Sequence, residues 1–105
     1  MNLFNSASGI SVIMPSFNQA FFISRAVESL KQQTIQDWEL LIINDGSTDN
    51  TAEIIRNYLN DERVRCLENK ENSGLGTSLN KGIKNALFDR IAYLPADDLY
   101  YKNHL

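Results

Sequence analysis

The sequence predicts an α/β fold, a parallel sheet of about four strands with flanking helices, and three observations carry that expectation. Four short apolar runs recur along the chain, each ending in a polar or turn-forming cluster. Three segments with helical spacing lie between them, so strands and helices alternate as crossover connections require. The runs are also near-continuously apolar, as strands covered on both faces of a parallel sheet must be.

The elements follow in order. Residues 1–9 have neither a basic stretch nor a continuous apolar core, so they read as a loosely ordered lead-in and not as a secretory signal. The first strand is expected over Ile10 to Met14. The first helix carries Ala20, Ile23, Val27 and Leu30 at steps of three and four, a stripe that suits one face of a sheet. A second strand runs from Glu39 to Ile43. After Ser47-Thr48-Asp49-Asn50, the spacing of Asn50 and Glu53 fits a capping box, and the helix it opens continues through Ala52, Ile55 and Leu59. Val64 to Leu67 forms the third strand. The third helix follows Asn72-Ser73-Gly74 with a stripe of Leu75, Leu79, Ile83 and Ala86. Gly82 interrupts it, at an expected penalty of ~1 kcal/mol relative to Ala. Arg90 to Leu94 is the fourth strand.

Composition narrows the function. The chain has 105 residues, 43% hydrophobic and 22% charged, with 10 basic and 13 acidic side chains and a net charge of −3. That describes one small domain or part of one, with a core large enough to need no disulfide or structural metal. The lone Cys66 has no partner for either, and reads as a buried free thiol in a reducing compartment. No Lys/Arg cluster supports nucleic-acid binding. Leu40-Leu41-Ile42-Ile43 is far short of the ~20 residues that span a bilayer.

In open α/β sheets ligands bind beyond the carboxyl ends of the strands, near the point where strand order reverses. Chemistry is therefore sought in Pro15-Ser16-Phe17-Asn18, Asn44-Asp45-Gly46-Ser47, Glu68 to Gly76 and Pro95-Ala96-Asp97-Asp98. Asp97 and Asp98 follow a buried strand and a proline, which suits a hard divalent cation at the rim, or the capping of the next turn. Asp45 also ends a strand, with Gly46 permitting a tight turn and close approach by a ligand. It reads either as part of a turn and N-cap or as an acceptor for the imide N–H of a pyrimidine. Phe17 is either a core aromatic or a stacking platform for a planar base. Gly74-Leu75-Gly76 lacks the third glycine of a dinucleotide fingerprint, because Leu79 stands there, and there is no P-loop. Amide donors at that helix start remain able to help hold a phosphate. The single His104 forms neither a triad nor a zinc site.

Together the four segments resemble the nucleotide-binding half of the family 2 glycosyltransferases, a Rossmann-like unit of the GT-A fold. Ser11-Val12-Ile13-Met14-Pro15-Ser16-Phe17-Asn18 is similar to that family's opening V-S-V-I-I-P-T-Y-N. Asp37-Trp38-Glu39-Leu40-Leu41-Ile42-Ile43-Asn44-Asp45-Gly46-Ser47-Thr48-Asp49 resembles its E-I-I-V-V-D-D-G-S-T-D, the most specific of the set. Asn72 to Ile83 looks like the third motif, and Ile91-Ala92-Tyr93-Leu94-Pro95-Ala96-Asp97-Asp98 like the fourth, which contains the metal-binding D-x-D.

The resemblance implies a nucleoside-diphosphate sugar, a UDP-sugar above all, with Pro15 and Phe17 beside the base and Asp45 pairing with it. Asp97 and Asp98 would hold ribose and metal, the metal being Mn²⁺ or Mg²⁺. An acidic chain offering carboxylates to a diphosphate needs such a cation between them. It further implies inverting transfer to a hydroxyl of a glycan or lipid-linked acceptor, in the cytoplasm or at the inner membrane surface. Three positions depart from the pattern: Pro95 and Asn44 replace acids, and Leu79 stands where an arginine often reaches the diphosphate. The family's acceptor half and catalytic base lie beyond Leu105. The expectation is therefore a donor-binding part, residues 1–105, truncated at its C-terminus, inactive alone and prone to dimerise through its uncovered sheet edge. The alternative is a non-catalytic nucleotide or nucleotide-sugar binding module. A half-Rossmann nicotinamide module is disfavoured by the broken glycine fingerprint.

Overall fold

A computed structural model describes residues 9–97 and Leu105. Its elements are β1 (Ile10–Ser16), α1 (Ala20–Lys31), β2 (Trp38–Asp45), α2 (Thr51–Arg56), β3 (Val64–Asn69), α3 (Leu75–Asn85) and β4 (Arg90–Tyr93). The strands form one parallel sheet in the order β3-β2-β1-β4. The chain thus steps outward from β1 to β3 and then returns to the other side of β1.

That reversal decides where the helices sit. Right-handed crossovers place α1 and α2 on one face and, once the direction changes, α3 on the other. Accordingly Val12, Met14, Leu40 and Ile42 pack with Ile23, Ala26, Val27, Leu30 and Ile55 on the first face. On the opposite face Ile13, Leu41 and Ile43 meet Leu67, Leu79 and Ala86. β1 and β2 are buried from both sides, which is why their sequences show no alternation.

Three local expectations are corrected. Gly82 is no defect: it is buried against β1, and a Cβ there would lie 2.5 Å from Ile13 Cγ2, so the missing side chain lets α3 approach the sheet. The stripe on α3 is correspondingly broken, with Leu75 and Ile83 exposed and Ser78 and Gly82 buried. At α2 the Asn50 side chain makes no capping bond; the Asp49 carboxylate accepts the Thr51 N–H at 2.9 Å instead. The helix ends at Arg56, leaving Leu59 exposed in the following turns. Cys66 is free but only half-buried, and burial pushes its thiol up to about 11, so it is a poor nucleophile.

One feature of the α3 face had no signal in the apolar pattern. Buried Glu39 accepts bonds from Ser11 Oγ (2.6 Å), Leu87 N–H (2.6 Å) and an Arg65 guanidinium nitrogen (3.0 Å). It pins the α3–β4 connection under the amino ends of the strands, the end away from the strand-end loops.

Candidate functional site

Beyond the carboxyl ends of the strands lies an open cleft of about 320 Å³. Pro15, Ser16 and Phe17 come to it from the end of β1, Asp45 from β2, Asn72 and Gly74 from the β3–α3 loop, Leu75 from the start of α3, and Pro95 and Asp97 from beyond the end of β4. The cleft sits where β4 returns past β1, the switch point of the sheet. Four of the residues singled out from sequence, Pro15, Phe17, Asp45 and Asp97, therefore line one cavity. Asp98 and His104 lie outside the described residues.

Phe17 is 41% exposed on the cleft wall, which removes its reading as a core aromatic. Asp97 is exposed at the same mouth, and its carbonyl oxygen accepts a long 3.4 Å bond from Arg25 of α1. Among the described residues, the Oγ of almost wholly buried Ser16 has no hydrogen-bond partner, nor has the Gln19 Oε1 beside the same cleft.

Asp45 is only 5% exposed and does not cap α2. Its Oδ1 accepts the Ser73 N–H at 2.7 Å and the Asn69 side-chain amide at 2.8 Å, while Oδ2 accepts the Gly74 N–H at 3.0 Å. Burial pushes the carboxyl up, but the bonds from Ser73, Asn69 and Gly74 outweigh it and hold the group below its ordinary value. Asp45 is thus ionised at neutral pH, and among the described residues Oδ2 accepts a single bond, which leaves it acceptor capacity. Of the amides at the helix start expected to be available to a phosphate, that of Gly74 is occupied by this carboxylate.

Gly46 makes the expected tight turn, but what approaches it closely differs from expectation. Its φ is +70°, and a Cβ would lie 2.4 Å from the Glu71 carbonyl carbon. The backbone that approaches it closely is the chain's own loop, not a ligand. Asn18, at φ +51°, forms a comparable tie: its Oδ1 accepts the Thr48 N–H at 2.8 Å and the Asp49 N–H at 3.3 Å. Asn18, Asn69 and Ser73 were missed as partners because each acts on a residue distant in sequence. The one available signal was an Asn or Ser at a strand end, where such side chains commonly bind loop backbone.

Among the described residues no three His, Cys, Asp or Glu side chains group together as a ready-made metal cage. A cation shared with phosphate oxygens and water needs fewer protein carboxylates than such a cage, and Asp97 is exposed at the cleft mouth.

In parallel α/β sheets the cleft at the switch point is the usual place for a ligand. Residues 11–105 match the family model described as Glycosyl transferase family 2, and the chain belongs to that family. It is 42% identical over 96 residues to an uncharacterized glycosyltransferase of Rickettsia felis, an alignment covering 91% of this chain and 16% of the relative. Among solved structures, S. aureus TarS 1-349 in complex with UDP-GlcNAc superposes with a TM-score of 0.84 at 29% identity, over 90% of this chain and 28% of that one. A mannosyltransferase from Pyrobaculum calidifontis in complex with GDP-Man and Mn²⁺ shares the fold, with a TM-score of 0.81 at 24% identity, over 87% of this chain and 28% of that one. The sheet is that of GT-A glycosyltransferases, and this chain spans under a third of the length of each of these proteins. No helix among the described residues is long and apolar enough to cross a membrane.

Proposed function

We propose that residues 1–105 are the donor-binding part of a glycosyltransferase, taking a UDP-sugar in the switch-point cleft for inverting transfer to an acceptor hydroxyl. The observation that carries this is the ionised Asp45 in the cleft wall, with acceptor capacity left on Oδ2, in a cleft also lined by the exposed Phe17. An imide N–H meets the one and a planar base stacks on the other, with Pro15 shaping the base's edge. Asp97 and Asp98 are assigned, on the family resemblance, to ribose and metal. A divalent cation bound there supplies charge neutralisation for the departing diphosphate. The acceptor and a general base are assigned to no residue of this chain, so by itself it binds donor without transferring sugar. The TarS complex with UDP-GlcNAc supports the choice of donor class.

Calorimetry with UDP and with Mn²⁺-pyrophosphate tests the assignment. Asp45→Ala is expected to weaken UDP about tenfold or more, the scale of a charge-assisted hydrogen bond, while changing Mn²⁺-pyrophosphate little. A parallel loss of both ligands refutes the base role. Equal UDP affinity in EDTA and in Mn²⁺ refutes the need for a cation.

A further inference from the structure

Asp45 receives two of its bonds from backbone N–H groups of one loop, and the third from a different kind of partner. Asn69 ends β3 and is the register neighbour of Asp45 in the parallel ladder between β2 and β3. Its restraint on the carboxylate is therefore built into the sheet and does not depend on the loop that closes over it.

The orientation of the Asn69 amide is fixed from behind. Lys81 of α3 donates from Nζ to Asn69 Oδ1 at 2.9 Å and to the Glu68 carbonyl at 2.7 Å. The Asn69 Nδ2 then donates to Asp45 Oδ1 at 2.8 Å and to buried Ser78 Oγ at 3.2 Å. Reversing the amide would set its oxygen against the carboxylate and its NH₂ against the ammonium, two repulsions in place of two attractions. An ammonium thus dictates which end of a neutral amide meets Asp45.

Resting on the reading that Asp45 meets the donor's base, we propose that Asn69, oriented by Lys81, is the positioning residue for Asp45, keeping Oδ1 engaged and Oδ2 open to the nucleobase in the cleft. Asn69 and Lys81 touch no donor atom themselves. Their effect falls on base recognition and not on the diphosphate end.

The test compares uridine monophosphate with Mn²⁺-pyrophosphate, by calorimetry across pH, for the full chain and four variants. Asn69→Leu, which keeps the volume and removes the amide, should weaken the nucleotide about tenfold and leave pyrophosphate within about twofold, the scale of one lost charge-assisted bond. It should also raise the pH at which nucleotide binding is half lost on acidification, since a carboxylate with one donor fewer protonates sooner. Lys81→Gln should give a smaller loss of the same kind, and Lys81→Arg should restore binding. Asp45→Ala separates the two levels. If it abolishes nucleotide binding while the Asn69 and Lys81 variants bind as the parent does, the positioning role is overturned and the base role stands. If Asp45→Ala binds nucleotide unchanged, both fall. Equal losses for both ligands in the Asn69→Leu variant would reduce Asn69 to a structural tie. Should that variant fail to fold, unchanged nucleotide affinity in Lys81→Gln overturns the proposal.

Discussion

Gly46→Ala perturbs the fold and the cleft through a single methyl group. The residue sits at φ +70°, where a Cβ costs an L-residue ~1–2 kcal/mol. The added carbon would also lie 2.4 Å from the Glu71 carbonyl carbon and 2.5 Å from the Asn72 nitrogen. Both are backbone atoms, so no rotamer change relieves the overlap, and displacing packed atoms costs a further ~1–3 kcal/mol. The sum, ~2–5 kcal/mol, is a large part of the ~5–15 kcal/mol that holds an ordinary domain together. With a urea m-value of ~2 kcal/mol/M, the middle of the usual range, the unfolding midpoint should fall by ~1–2.5 M. The displaced segment runs directly into Ser73 and Gly74, whose N–H groups hold Asp45, so nucleotide affinity should drop in parallel. Gly76→Ala is the internal control: it adds a methyl at the start of α3 with nothing within 4 Å, and should be neutral or slightly stabilising. A Gly46→Ala midpoint equal to that of Gly76→Ala would refute the close approach of the two loops.

Gly82→Ala should reverse the usual sign of a helix substitution, costing ~1–3 kcal/mol in urea unfolding where an open helical site gains up to ~1 kcal/mol, because the new Cβ meets Ile13 Cγ2 at 2.5 Å. Asp61 is held at about 2 by its hydrogen bonds and ion pair with Arg63, against 3.8 for the ordinary group. The unfolded chain therefore takes up that proton first, so the pair's stabilisation is complete above about pH 4 and is lost as pH falls toward 2. Asp61→Asn should flatten the acid limb of the urea midpoint in that window.

How much of this was legible in the sequence depends on the range of each cause. Strand positions and the buried face of α1 follow from apolar runs and helical spacing, which are local, and Ile23, Val27 and Leu30 are indeed buried. The strand ends were legible for the same reason, which is why Pro15, Phe17, Asp45 and Asp97 fall in one cleft. Gly82 and the close neighbour of Gly46 were misread because a glycine's meaning is set by the atom that occupies its missing Cβ position, here Ile13 and Glu71, each more than twenty residues away. Asn50 is the N-cap of α2 as its spacing predicts, but the side-chain bond expected of it is made by Asp49, one residue earlier. The Glu39 network was invisible because a lone acid at the head of an apolar run looks like a strand boundary.

The ties among the loops explain why a motif residue here answers to two demands at once. Asn18 and Asp45 each accept two backbone N–H groups from a loop that has no ladder of its own to satisfy them. Removing either leaves donors unpaired whether or not any ligand exists, so a loss of binding alone does not prove contact with one. Asp45→Asn separates the demands. An asparagine oxygen accepts two bonds, enough for Ser73 and Asn69, but its NH₂ then faces the Gly74 N–H, donor against donor, at a cost of about 1–3 kcal/mol. The loop should loosen without unfolding. Toward the cleft the same NH₂ presents a donor where the carboxylate presented an acceptor, so an imide N–H is repelled while a carbonyl edge is welcomed. If Asp45 serves the fold alone, urea midpoints fall and uridine and cytidine nucleotides weaken alike. If it reads the base, uridine loses far more than cytidine, whose ring nitrogen at the same edge is an acceptor. Equal losses for the two nucleotides by calorimetry would confine Asp45 to holding the loop.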